Sequence, residues 1–124
     1  MVKTFDLSGK VVLISGGYGY LGTAITESLI HHGAKVYVLG RNHDKFNAAF
    51  DRLISESRTL EFVHCDIAST ESIQKAFESV MQLEQRIDVL INNAFYLQGQ
   101  DPFGMTDAQW STGIDGSLNS VFRA

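Results

Sequence analysis

A cluster of glycines, GGYGYLG from Gly16, is the stretch of this sequence that most directly suggests chemistry. Gly17, Gly19 and Gly22 fit the pattern G-x-G-x-x-G, directly after an apolar run and directly before an amphipathic one. Glycine permits a tight turn and a close approach of the backbone to a pyrophosphate, and the following helix offers free N–H groups to phosphate. The spacing therefore predicts a loop that binds the pyrophosphate of a dinucleotide, and the alternative is a glycine-rich turn without a ligand.

The end of the second apolar run bears on which dinucleotide is bound. An acidic side chain about 20 residues after the glycines would bind the ribose 2′-hydroxyl and favour NAD. The chain instead reads LGRN at this place, and Arg41 could pair with a 2′-phosphate. The sequence therefore favours NADP over NAD, with a solvated loop charge as the other interpretation of Arg41.

Polar residues also follow the third and fourth apolar runs. Asp66 follows one, and Asn92 and Asn93 follow the other. Ligands of α/β proteins bind at the carboxyl ends of strands, so these side chains are candidates for ligand contacts. Two alternatives stay open: Asp66 could cap the helix that starts near Ser69, and one asparagine could join strands, because buried amides must be hydrogen-bonded.

The elements that position these residues follow from the hydrophobic pattern. Short apolar runs predict strands, apolar residues at helical spacing predict helices, and their alternation is typical of a parallel sheet with right-handed crossovers. The predicted strands are Val11–Ser15, Lys35–Leu39, Leu60–Cys65 and Ile87–Ile91. Phe95–Met105 reads as a loop, and a further helix is expected from Asp107, with Trp110, Ile114, Leu118, Val121 and Phe122 on or near one face.

Composition narrows the function classes. A chain of 124 residues suits one domain, and its net charge of −4 disfavours nucleic acid as a partner. Cys65 is the only cysteine, which excludes an internal disulfide and fits a reducing compartment. We find neither a signal-peptide pattern nor an apolar run of bilayer length, so we expect a cytoplasmic protein without a membrane partner. No cluster has the spacing of metal ligands, so no metal site is expected.

Three motifs together resemble the short-chain dehydrogenase/reductase family over essentially the whole chain. The stretch SGGYGYLG from Ser15 is similar to the family's T-G-x-x-x-G-x-G loop, HCDI from His64 to its adenine-contacting segment, and DVLINNA from Asp88 to its D-x-L-[IV]-N-N-A-G run. The later motifs look most like the shorter members, such as the β-ketoacyl carrier-protein reductases.

The resemblance implies an α/β fold with a Rossmann-type doubly wound parallel sheet, here incomplete, with about four strands and flanking helices. It implies binding of NADP or NAD, with Asn92 in the more structural role and Asn93 facing the ligand. Tyr18 and Tyr20 could line the cofactor cleft or only cover the loop. The candidate cofactor-binding residues are Gly16, Gly17, Tyr18, Gly19, Tyr20, Leu21, Arg41, Asp66, Ile67, Asn93 and Ala94.

The sequence departs from the family pattern at three positions. Tyr20 replaces a usual glycine, and the glycine spacing is closer to that of the longer, nucleotide-sugar-modifying members. Phe95 also stands where the family has glycine. Ser117 occupies the position of an active-site asparagine, where it could still hold a water of the proton relay, so it is the one catalytic candidate.

The family's catalytic tyrosine and lysine have no counterpart, because none of the four tyrosines has a lysine four residues later. We therefore expect residues 1–124 to be one cofactor-binding domain, truncated before the Tyr-Lys segment and inactive alone. The parent would interconvert a carbonyl and a hydroxyl of a small molecule by hydride transfer. The alternatives are a non-catalytic dinucleotide-binding or regulatory module, or a nucleotide-sugar-modifying enzyme. The open edge of the fourth strand and the uncovered last helix predict a homo-oligomer.

Overall fold

The structure, a computed structural model, describes residues 5–98 and 101–124. Within these ranges four strands alternate with helices before a final helical segment. The strands are β1 (Val11–Ser15), β2 (Lys35–Gly40), β3 (Leu60–His64) and β4 (Val89–Ile91). The helices are α1 (Tyr20–His31), α2 (His43–Glu56), α3 (Thr70–Glu84), α4 (Asp107–Ile114), the π-helical turn π1 (Asp115–Asn119) and α5 (Ser120–Arg123).

The strands form one parallel sheet in the order β3-β2-β1-β4. Ile14 lies opposite Val38 of β2 on one side and Ile91 of β4 on the other. The strand order reverses after β3, so the neighbours β1 and β4 lie at the point where α/β sheets bind ligands. The sheet and its flanking helices confirm the predicted α/β fold class and its Rossmann-type arrangement.

Both faces of the sheet are covered, which explains why its strands are continuous apolar runs. Leu13 and Leu39 point to a core shared with α3, whereas Ile14 and Val38 point to a core shared with α1 and α2. Successive residues of β1 therefore enter opposite cores, and the whole strand is buried.

Local signals fix the helix starts. Asn42 accepts a hydrogen bond from the Lys45 N–H, and Ser69 accepts one from the Ser72 N–H. Thr106 and Gln109 form a reciprocal capping box at the start of α4. α3 and α4 therefore begin at Thr70 and Asp107, close to the starts expected near Ser69 and at Asp107.

The last helical segment runs through α4, π1 and α5 with helical backbone angles at both junctions. Trp110, Leu118 and Phe122 are 63%, 64% and 92% exposed on it. The edge strand β4 also exposes Val89. The apolar surface from which we predict an oligomer is therefore present, and the oligomer itself stays a prediction.

The predicted loop 95–105 includes Gly99 and Gln100, which lie outside the described residues. No helix in the described ranges combines the length and apolar character needed to cross a bilayer.

Candidate functional site

A cleft of about 550 Å³ lies at the carboxyl ends of the strands. It is bounded by the β1–α1 loop and by the segments that follow β2, β3 and β4. The loop contributes Gly16, Tyr18, Gly19, Tyr20, Leu21 and Gly22; the other segments contribute Leu39, Gly40, Arg41, Cys65, Asp66, Ile67, Asn93, Ala94, Phe95 and Tyr96. Every residue predicted to bind the cofactor lines this cleft, with the exception of Gly17.

Two glycines make the β1–α1 loop possible. Gly16 has a φ of +65°, a conformation that side chains other than glycine rarely adopt. Gly22 lies in the first turn of α1, where a Cβ would overlap the carbonyl oxygen of Gly16 and come within 2.8 Å of the Gly17 Cα. The helix can therefore begin directly against the loop only because position 22 has no side chain.

Gly17 is the one predicted cofactor-binding residue that does not line the cleft, so cofactor binding by Gly17 stays a prediction. It is buried behind the loop, where a Cβ would lie 2.9 Å from both Ile14 Cγ2 and Thr26 Oγ1. The buried Thr26 hydroxyl donates to the Gly17 carbonyl at 3.1 Å. Gly17 therefore joins the loop to the core and does not face the cleft, because the chain must pass between β1 and α1 here.

The two asparagines after β4 differ from the expectation. Asn92 is exposed, whereas the Asn93 side-chain amide donates to the carbonyls of Ser15 and Gly16 at 3.2 and 3.0 Å. Asn93 therefore joins β4 to the glycine loop, which is the structural role expected of Asn92. It also lines the cleft, so a ligand contact by Asn93 stays a prediction.

Ser15, at the end of β1, is a site residue that the sequence reasoning missed. Its hydroxyl is buried and accepts the backbone N–H groups of Asn93 and Ala94 at 3.1 and 3.0 Å. The available signal was a lone hydroxyl at the end of an otherwise apolar strand. Ser15 and Asn93 together hold the glycine loop and the β4 segment in a fixed relation.

Tyr18 and Arg41 form the wall of the cleft beyond β2. The Tyr18 ring lies directly against the backbone of Gly40, where a Cβ would overlap the ring. Its hydroxyl accepts the Asn42 N–H at 3.2 Å. Arg41 is exposed and lines the cleft, and it forms no ion pair within residues 5–98 and 101–124. Its guanidinium is therefore free for an anionic ligand.

Asp66 lines the cleft after β3, the strand next to β2. One of its carboxylate oxygens accepts the Ala68 N–H at 2.9 Å, which fixes the turn before α3. Ser69, and not Asp66, caps α3, so the capping alternative for Asp66 is not what the structure has. The neighbouring Cys65 is buried, and burial raises the pKa of its thiol to about 11. Cys65 is therefore a protonated part of the cleft wall, not a nucleophile.

The start of α1 gives the cleft its electrostatic character. The Gly19 N–H donates back to Gly16, and the next three N–H groups belong to the first turn of the helix. Such groups have no partner inside the helix and carry the positive end of its dipole. Tyr20 and Leu21 are exposed at this point, so an anion can reach the backbone.

Ser117 lies apart from this cleft. It lines a second cavity of about 200 Å³ between α4 and the segment near Leu97. Its hydroxyl donates to the Gly113 carbonyl at 2.6 Å. The structure therefore does not bring the predicted catalytic serine together with the predicted cofactor-binding residues, and a role in a proton relay stays a prediction.

The groups that line the cleft suit binding better than proton transfer. None of the described residues that line it is a lysine or a histidine. The described residues also hold no group of three or more His, Cys, Asp or Glu side chains that could bind a metal ion. Backbone N–H groups, one arginine, one aspartate and aromatic rings can hold and orient a phosphorylated nucleoside.

Comparison with known proteins gives matches over nearly all of the chain. A family model described as short chain dehydrogenase matches residues 10–124. An uncharacterized oxidoreductase of Schizosaccharomyces pombe is 35% identical over 103 residues, which are 82% of this chain and 30% of that protein. A 15-hydroxyprostaglandin dehydrogenase [NAD(+)] of Rattus norvegicus is 37% identical over 91 residues, which are 71% of this chain and 34% of that protein.

Solved structures agree with these matches. The crystal structure of gox2181 has a TM-score of 0.87 at 31% identity and covers 95% of this chain and 46% of its own. The Pseudomonas aeruginosa RhlG/NADP active-site complex has a TM-score of 0.86 at 25% identity and covers 99% of this chain and 48% of its own. The chain thus spans about a third of these curated relatives and about half of these solved chains.

Proposed function

The chain belongs to the short-chain dehydrogenase family, and on that premise we propose that it is the cofactor-binding part of an NAD(P)(H)-dependent oxidoreductase. The reaction would interconvert a carbonyl and a hydroxyl on a small-molecule substrate. The bound nicotinamide would supply the hydride chemistry. The chain's own residues would hold the cofactor and orient it.

The observation that carries the proposal is the close approach of α1 to the glycine loop. A Cβ at Gly22 would overlap the Gly16 carbonyl, so the absence of a side chain there brings the start of the helix to the floor of the cleft. A pyrophosphate bound at this point would meet backbone N–H groups and the positive end of the helix dipole. The residues present therefore fit a dinucleotide.

The walls of the cleft support an assignment of the two ends of the cofactor. Asp66 and Ile67 would contact the adenine, as the resemblance implies, and the segment of Asn93 and Ala94 would border the nicotinamide. Asn93 would do so while it holds the glycine loop through its amide. Phe95 adds an exposed ring at the same end of the cleft.

A preference for NADP over NAD rests on Arg41. It is exposed at the cleft, and none of the cleft residues at the end of β2, Leu39, Gly40 and Arg41, has a carboxylate that could bind a ribose 2′-hydroxyl. A free guanidinium binds a phosphate through charge-assisted hydrogen bonds. The relatives reported above include one named for NAD(+) and one solved with NADP, so the preference of this chain depends on its own residues.

Cofactor binding can be tested on the 124-residue chain by calorimetry with NADPH and NADH. We expect NADPH to bind more tightly than NADH. Arg41→Ala should lower the affinity for NADPH by about tenfold and leave the affinity for NADH nearly unchanged. Arg58→Ala is the matched control, because Arg58 is also exposed but does not line the cleft. If neither nucleotide binds, the proposed function is contradicted. If Arg41→Ala lowers the affinities for NADPH and NADH equally, only the NADP preference is contradicted.

The second candidate is a dinucleotide-binding or regulatory module without catalysis. The sequence has no Y-x-x-x-K motif, and the described cleft residues include no lysine. Because the chain spans only about a third to a half of its relatives, this does not favour the module over the oxidoreductase. We place the proton-transferring serine, tyrosine and lysine of the enzyme outside residues 1–124, with Ser117 as a relay residue. The relatives reported above are named as oxidoreductases or dehydrogenases, and this does not favour the nucleotide-sugar alternative.

The mass of the protein in its source separates the two candidates. A mass near twice 13.7 kDa, found with an antibody against this chain, would support the oxidoreductase. A mass of 13.7 kDa would support the module. A cytoplasmic location and a homo-oligomer are part of the same proposal, and they rest on the lone cysteine and on the exposed apolar surface of the last helix.

A further inference from the structure

Three side chains that the proposed function does not use form a network behind the cleft. The Tyr96 hydroxyl donates to the carboxylate of Asp115. The guanidinium of Arg123 pairs with the same carboxylate, with Nη1 at 3.2 Å from Oδ2. The same Nη1 also donates to the backbone carbonyl of Ile67 at 3.2 Å.

The network joins two walls of the cleft that the sheet does not join. Ile67 follows β3 and Tyr96 follows β4, and both line the cleft. In the order β3-β2-β1-β4 these strands lie at opposite edges, so no strand pairing fixes one segment relative to the other. The hydrogen bonds from Ile67 through Arg123 and Asp115 to Tyr96 provide a direct link between them.

Packing at π1 supports the same link. Gly116 is buried, and a Cβ on it would overlap the Tyr96 carbonyl and lie 2.7 Å from the Tyr96 ring. The backbone and ring of Tyr96 therefore rest directly on the helix next to Asp115. Because π1 begins at Asp115, the carboxylate of Asp115 and the side-chain-free Gly116 lie next to each other against Tyr96.

The ion pair at the centre is partly shielded from solvent. The side chains of Asp115 and Arg123 are 30% and 20% exposed, whereas the exposed helix pair of Arg52 and Glu56 shows 88% and 57%. The hydrogen bond from Arg123 holds the pKa of Asp115 below its ordinary value, so the carboxylate is charged at neutral pH. The link is therefore present under the conditions in which a cofactor would bind.

We propose that Asp115 is a positioning residue for the cofactor: through Arg123 and Tyr96 it sets the distance between the adenine wall and the nicotinamide wall without touching the ligand. This inference rests on the proposed function. Loss of the link leaves two walls that must be ordered each time a cofactor binds, and that ordering lowers affinity.

The test measures NADPH affinity and urea unfolding for Asp115→Asn, Tyr96→Phe and the double variant of the 124-residue chain. We expect each single variant to lower the affinity for NADPH by about tenfold, an effect typical of a change in a coupled hydrogen-bond network. Because both changes break the same link, the double variant should be no weaker than Asp115→Asn. Asp115→Glu, which keeps the carboxylate, should restore affinity to within about threefold of the original chain.

Hydrogen exchange gives a readout that does not depend on the cofactor. In Asp115→Asn, amide exchange should rise in the segments around both Ile67 and Tyr96, although they are distant in sequence. Asp51→Asn is the matched control, because it makes the same change of charge on the exposed face of α2 and should alter neither exchange nor affinity.

The outcomes separate the two levels of the argument. If the unchanged chain binds neither NADPH nor NADH, the proposed function fails. If it binds NADPH and Asp115→Asn binds equally well, the inference is wrong while the proposed function stands. If the fold-loss of NADPH affinity in the double variant equals the product of the two single losses, Asp115 and Tyr96 act independently and the inference is wrong. If Asp115→Asn lowers only the urea midpoint and leaves affinity unchanged, Asp115 stabilises the helix and does not position the cofactor.

Discussion

Replacement of Gly22 by alanine should destabilise the protein although alanine is the better helix former. A Cβ at position 22 would overlap the Gly16 carbonyl and lie 2.8 Å from the Gly17 Cα and 2.9 Å from the Asn93 amide nitrogen. Two of these contacts are backbone atoms, which cannot rotate away. We assign the overlap about 3 kcal/mol, the upper part of the range for overpacked sites.

Helix propensity acts in the opposite direction. Alanine is favoured over glycine inside a helix by about 1 kcal/mol, so the net loss of unfolding free energy for Gly22→Ala should be about 2 kcal/mol. Gly113→Ala is the matched control, since a Cβ there would meet Leu97 Cδ2 at an ordinary contact distance of 3.7 Å. The free energy of unfolding of Gly113→Ala should rise by up to about 1 kcal/mol, because alanine has the higher helix propensity.

Urea unfolding followed by circular dichroism compares the two variants directly. Gly22→Ala should move the midpoint down by about 1 M, and Gly113→Ala should move it up by less. NADPH binding should be lost in the first variant at temperatures where it remains folded, because the start of α1 is displaced. Equal stability of Gly22→Ala and the unchanged chain would refute the close approach of α1 to the loop.

Three further changes have clear expected results. Ser15→Ala leaves two buried N–H groups without an acceptor and should cost about 2–4 kcal/mol in urea unfolding, whereas Ser15→Thr should retain most of the stability. Gln85 ends α3 at a φ of +59°, a left-handed conformation that is strained for residues other than glycine. Gln85→Gly should therefore stabilise the protein by up to about 1 kcal/mol in the same assay, and a loss of stability would contradict the presence of strain. The pKa of Asp88 is lowered by its hydrogen bond from Arg86, so its contribution is complete above the ordinary carboxyl pKa of about 3.9 and lost as pH falls through the lower folded-state value. In Asp88→Asn, the urea midpoint should therefore decrease less steeply as the pH is lowered. An unchanged slope would show that Asp88 does not contribute to the acid dependence of stability.

Much of the fold follows from local pattern. The strand β1 has the limits expected from its apolar run, and α3 begins directly after Ser69, near which a helix start was expected. β4 is shorter than its apolar run because the Asp88 carboxylate accepts the Val11 N–H at 2.8 Å, and the ladder begins only after it. A side-chain contact between residues 77 positions apart thus goes with the later start of the strand, and no local pattern carries such information.

The candidate site divides in the same way. The glycine loop could be predicted because a turn between a strand and a helix has its own residue requirements. The structural role of Asn93 could not, because it depends on which amide meets the Ser15 and Gly16 carbonyls at the end of another strand. The role of Asp115 could not be predicted either, because it pairs with Tyr96 and Arg123, and Arg123 in turn reaches Ile67 in a third segment.

The position of β4 beside β1 also sets the order in which the chain can assemble. β1, β2 and β3 can pair as soon as each is available, but one edge of β1 must wait until residues 89–91 arrive. This contact joins residues 77 positions apart, such as Val12 and Val89, so we expect its closure to be the slow, entropically costly event of folding. Because the Asn93 amide locks the glycine loop only after that event, the cleft is completed last. A nucleotide that binds the finished cleft would therefore slow unfolding much more than it speeds folding.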